Sequence, residues 1–145
     1  MEIVLKSKRH KEKWVERLGA WVDEKIIPLV LVLNRIDGIR TSFSCQGGGT
    51  NVIDAYVLFE LRPAVAGTFF SEFFEFTKRG EAAWKARHRH RCRGCKHWTP
   101  TLEINGCSVR LSWQPWDYPA MLTGIRGIAR KMRAASGAAE KDGAK

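Results

Sequence analysis

Apolar residues recur at helical intervals near the start of the chain. Trp14, Val15, Leu18, Trp21 and Val22 fall at i, i+1, i+4, i+7 and i+8, the spacing of one face of an amphipathic helix. A helix is therefore expected over residues 7–24, with Ser7 as its cap. A second helix is expected from Pro28, which suits a first-turn position, to Gly38, which suits a C-terminal stop. It is apolar nearly all round and belongs in the core. Residues 39–44 (IRTSFS) are β-branched and aromatic and predict a strand that ends at the glycine run 47–49. Residues 56–61 (YVLFEL) predict a second strand. From Pro63 to Lys78 the pattern is helical again. Phe69, Phe70, Phe73, Phe74 and Phe76 form its expected core face, and Gly80 is the expected stop. Asn105-Gly106 is a hairpin signal between strands expected at 102–104 and 108–113. Pro119 opens a last helix with Met121, Leu122, Ile125, Ile128 and Met132 on one side. From Ala134 the sequence is small and polar, which predicts a disordered tail over 134–145.

Paired strands between helices point to an α+β fold: a mainly antiparallel sheet of about four strands packed against three to four helices. At 145 residues the chain has room for one such domain, assigned to residues 1–133. Hydrophobic residues make up 44% and charged residues 28%, which excludes wholesale disorder and rod-like repeats. The longest apolar run, residues 26–33, contains a proline and is far short of the roughly 20 residues that span a bilayer. The first residues are charged where a signal peptide is apolar, so a cytoplasmic location is expected.

The formal charge is +10, and it is concentrated. Residues 78–98 hold eight basic residues (Lys78, Arg79, Lys85, Arg87, Arg89, Arg91, Arg93, Lys96) against one acid, Glu81. On the last helix Arg126, Arg130 and Arg133 run at i, i+4 and i+7. Such a distribution favours a polyanionic partner, nucleic acid above all. Arg87, Arg89, Arg91, Arg93, Lys96, Arg126, Arg130 and Arg133 are its expected contacts. An acidic protein bound by an adaptor is the alternative, because the same patch serves both.

Within the basic segment 84–98 lies Cys92-x-x-Cys95, with His88, His90 and His97 close by. Zinc takes four ligands and accepts both thiolate and imidazole. Cys92 and Cys95 with His88, His97 and Cys107 are the candidate set. Thiols without metal and a redox pair are the alternatives. A structural rather than catalytic zinc is expected, since Glu81 and Glu103 are the only acids near in sequence. The His-x-Glu and Pro-Cys-x-x-Cys pattern of zinc deaminases is absent. Dinucleotide-binding and P-loop fingerprints are absent too. The whole therefore leans away from an enzyme.

A second candidate site leaves the first strand of the sheet. Ser42, Ser44, Cys45, Gln46, Gly47 and Gly48 combine hydrogen-bonding groups with a glycine-rich turn, whose successive N–H groups can cradle an anion. Asn34 followed by Thr41-Ser42, Ser44-Cys45 and Gly47 resembles the motif of the wybutosine-synthesis methyltransferase family. The resemblance covers a short stretch, and Phe43, Gln46 and Gly48 depart from the family pattern. It implies a ligand site lined by Ser44, Cys45 and Gly47, S-adenosylmethionine as ligand and an RNA partner. A small-ligand or nucleotide-binding protein, or an RNA-modifying enzyme, centred on the loop from Ser42 to Thr50 is accordingly the alternative to a non-catalytic nucleic-acid binder.

Native mass spectrometry tests the metal assignment. One zinc per chain, lost on denaturation, is expected. A metal-free spectrum would leave Cys92 and Cys95 as thiols.

Overall fold

The computed structural model describes residues 11–45, 55–87, 98–106 and 108–143. The chain opens with a hairpin, β1 (Glu12–Val15) and β2 (Ala20–Asp23). A short 3-10 turn leads into helix α1 (Ile27–Arg35), and strands β3 (Ile39–Cys45) and β4 (Ala55–Leu61) follow. Helix α2 (Pro63–Arg87), strands β5 (Thr101–Asn105) and β6 (Ser108–Trp113), a second 3-10 turn and helix α3 (Tyr118–Gly143) complete it. The main sheet is antiparallel with the order β3-β4-β6-β5. The α+β class is as the sequence pattern predicts.

The hairpin corrects the expected helix over 7–24 in its described part. Trp14 pairs with Trp21 and Val15 with Ala20 across the two strands. Gly19 makes the turn at φ +59, and the amides of Leu18 and Gly19 donate to the Val15 carbonyl at 3.0 and 2.9 Å. Apolar residues at 14, 15, 18, 21 and 22 satisfy a helical period and a tight hairpin equally well. The positive φ of Gly19 and the β-branched and aromatic strand residues favour the hairpin. The position of Ser7 lies outside the described residues.

Two further expectations change. Helix α2 continues through Gly80 to Arg87, because Gly80 here serves packing. A Cβ at this position would overlap the Trp98 indole, whose Nε1 donates to Thr77 Oγ1 at 2.7 Å. Helix α3 runs on to Gly143, where a disordered tail was expected from 134. The alanines at 134, 135, 138 and 139 are strong helix formers and extend it.

One face of the sheet packs on the helices. Val57, Phe59 and Leu61 of β4 and Val109 and Leu111 of β6 are buried, while Tyr56, Leu58 and Arg110 between them are partly exposed. That alternation is the mark of a sheet covered on one side. Phe59 meets Phe69 of α2 at 5.6 Å, and Phe69, Phe73 and Phe76 form a continuous aromatic row. Only these three of the five phenylalanines are buried. Phe70 is half-buried and Phe74 is 62% exposed, because a rotation of about 100° per residue turns both away from the row. Helix α1 contributes Leu29, Val30, Val32 and Leu33, and α3 contributes Met121, Ile125, Ile128 and Ala129.

Helix α3 meets α2 at Gly124. A Cβ there would overlap the Phe76 ring, whereas a Cβ on Gly127 meets nothing within 4 Å. Gly124→Ala is therefore expected to destabilise the fold by about 1–3 kcal/mol through overpacking. Gly127→Ala is expected to stabilise it by about 0.5–1 kcal/mol through helix propensity. Urea denaturation of the two variants checks the contrast.

Candidate functional site

Helix α3 turns Met121, Ile125 and Ile128 into the core. The 3.6-residue repeat then sends Arg126, Arg130 and Arg133 to solvent as one exposed stripe. Across from them is Arg35, exposed in the last turn of α1. The four arginines, with Val32, Thr123 and Ala129, line a groove of about 320 Å³. Asp37 lines the adjoining cleft with Arg35 and Arg133. Among the described residues, no carboxylate stands within ion-pair distance of any of the four guanidinium groups. An ion pair of this helix, Lys131 to Glu72 at 3.1 Å, ties α3 to α2 instead. Four guanidinium groups without an ion-pair partner among the described residues stand on two packed helices, a concentration of positive charge to which an anion would be attracted.

Arg87 is exposed at the end of α2. Arg89, Arg91, Arg93 and Lys96 lie outside the described residues, as do the metal candidates His88, Cys92, Cys95, His97 and Cys107. Among the described residues no group of three or more His, Cys, Asp or Glu side chains gathers around a common point.

The chain is firmly held where it leaves the basic segment. Trp98 packs on Phe76 at 5.6 Å. Asp117, buried in the turn before α3, accepts hydrogen bonds from the Thr99 amide at 3.0 Å and the Thr99 hydroxyl at 2.6 Å. The Thr99 hydroxyl in turn accepts from the Gln114 amide at 2.9 Å. This buried network fixes the start of α3 against the start of β5. Trp113, at the end of β6, is buried, and Trp116, within that turn, is 41% exposed.

At the second candidate site, Ser42 is exposed and Ser44 and Cys45 are half-buried on β3. Gln46, Gly47 and Gly48 lie outside the described residues. The strand carries a bulge between Thr41 and Phe43, and Ser42 Oγ donates to the Leu58 carbonyl at 3.2 Å. Asn34 of α1 binds β3 directly. Its Nδ2 donates to Thr41 Oγ1 at 2.6 Å and to the Val30 carbonyl at 2.8 Å, and its Oδ1 accepts from the Thr41 amide at 3.2 Å. Asn34 and Thr41, distant by seven residues in the short motif, thus form one hydrogen-bonded unit.

No protein-family model, curated protein or solved structure matches the chain. No helix among the described residues is long and apolar enough to cross a membrane.

Sequence reasoning identifies the α3 arginines from their spacing but misses Arg35. A lone arginine at a helix end reads as a favourable partner of the helix dipole. Only the packing of α1 on α3 turns it toward the stripe.

Tyr118, half-buried at the start of α3, supplies a pH test. Burial pushes its phenol above the ordinary value of 10.0, with the Leu29 backbone and the Arg126 charge acting in the opposite sense. The folded state therefore holds this proton more tightly than the unfolded chain. The associated stability is full below the unfolded value and is lost as pH rises through the folded one. Wild-type stability is expected to fall more steeply above about pH 10 than that of Tyr118→Phe, as read from urea midpoints.

Proposed function

We propose that the protein binds nucleic acid, with RNA as the favoured form, and holds its phosphate backbone without acting on it chemically. The observation that supports this is the groove of Arg35, Arg126, Arg130 and Arg133, four exposed guanidinium groups without a neighbouring ion-pair partner among the described residues. Guanidinium is planar and matches phosphate with paired hydrogen bonds. Seven residues of helix span about 10 Å, the axial length over which one strand of a duplex presents about three phosphates. The basic sequence 87–96 adds charge to the same chain. The resemblance to an RNA-acting family is the reason for placing RNA before DNA.

Backbone-dominated binding predicts a steep dependence on salt. The triple variant Arg126→Ala, Arg130→Ala, Arg133→Ala is expected to fold normally, since all three side chains are exposed. It should weaken binding to all sequences alike and reduce the slope of log K against log salt by about 3. Fluorescence anisotropy with labelled RNA checks this. Unchanged affinity in the variant, or no retention of RNA or DNA by the wild type at low salt, would overturn the proposal. A partner captured by this face that survives nuclease treatment would transfer it to an acidic protein.

A further inference from the structure

Trp14 and Trp21 are the cross-strand neighbours of the β1–β2 hairpin. Their rings meet edge to face at 5.8 Å, yet they stay 49% and 64% exposed. The core does not need them. Val22, next to Trp21, enters it, and Val15 and Leu18 pack against it. Two paired rings held in the open present an apolar surface that a flat ligand can cover.

Trp21 stands at a groove of about 360 Å³ between the hairpin and β3, a volume typical of small-ligand sites. Two arginines, Arg17 from the hairpin turn and Arg40 from β3, line it, against one carboxylate among the described residues, Glu12. Arg40 is opposite Glu60 in the sheet register, but no ion pair forms between them among the described residues. The bulge in β3 explains the polar wall. In a regular strand Thr41 and Ser42 would point to opposite faces; the bulge re-aims them, and Thr41, Ser42 and Ser44 all line the groove. Asn34 closes the floor and is locked there by its bonds to Thr41 and Val30.

An aromatic face, two cations and a row of hydroxyls form a set that matches one ligand chemistry. We infer that this groove takes an unpaired nucleotide, with its base stacked on Trp21, its phosphate on Arg17 and Arg40, and its polar edge toward Glu12, Ser42 and Ser44. Trp14 serves as the buttress that holds the Trp21 ring upright. The inference rests on the nucleic-acid reading and deepens it, because a base can reach Trp21 only if it is not paired. The nucleotide could belong to a single strand or be a free mononucleotide.

The test compares a short unstructured RNA strand, a blunt RNA duplex and GMP, with wild type, Trp21→Ala and Trp21→Phe. Stacking on one base predicts that Trp21→Ala weakens single-strand binding about 5- to 150-fold while duplex binding stays within about twofold. Trp21→Phe, which keeps a π face, should recover most of the loss, and so separates stacking from a folding defect. Unchanged single-strand affinity in Trp21→Ala, or an equal loss on strand and duplex, would overturn the inference and leave the arginine face standing. If the wild type binds neither RNA, the backbone proposal fails by itself. GMP titration then decides the groove: binding that is lost in Trp21→Ala supports a mononucleotide site, and no binding overturns it.

Discussion

The close approach of α3 to α2 at Gly124 and Phe76 governs how this protein presents its charge. The Phe76 ring occupies the space a Cβ would need, so the helices meet closely at a position where α3 has no side chain in the way. That contact sets the rotation of α3. Once Met121, Ile125 and Ile128 point inward, the helical repeat leaves Arg126, Arg130 and Arg133 no direction but outward. The arginine stripe is thus a consequence of core packing. Its partner Arg35 arrives by the same logic, because α1 buries Val32 and Leu33 and so turns its last residue toward α3.

The start of α3, just before that contact, is held by polar chemistry as well. Asp117 is buried and gathers the amide and hydroxyl of Thr99, which in turn holds Gln114. Removing one member of such a network leaves buried polar groups unpaired, so it acts as a unit. Through it, and through Trp98 packed over Gly80, the described residue just after 88–97 is tied both to α2 and to the start of α3. Charge on these elements is therefore held at fixed relative positions, which is what a preorganised anion surface requires.

Much of the fold was legible in the sequence, and the exceptions share a cause. Pro28, Gly38 and Asn105-Gly106 state their local geometry through proline's fixed φ and glycine's tolerance of positive φ; Gly38 and Gly106 adopt φ +92 and +63. Where one pattern fits two structures, tertiary context decides. Trp14, Val15, Leu18, Trp21 and Val22 satisfy a helix and a hairpin alike, and a helical face would carry Trp21 inward, where the hairpin leaves it exposed. Gly80 and Gly124 are glycines for the sake of neighbours distant in sequence, Trp98 and Phe76, which no local rule shows. The α3 stripe was legible because helical spacing is a local property. Arg35, Arg17 and Arg40 gain meaning only from elements brought together by folding.

The central claim is that the α1–α3 groove is where phosphate binds. The most direct measurement is NMR titration of the arginine side-chain Nε–Hε signals with a short RNA. The account predicts that Arg35, Arg126, Arg130 and Arg133 shift together and saturate with one affinity. Shifts confined to arginines elsewhere, such as Arg110 on the far face of the sheet over Tyr56, with those four unmoved, would contradict it.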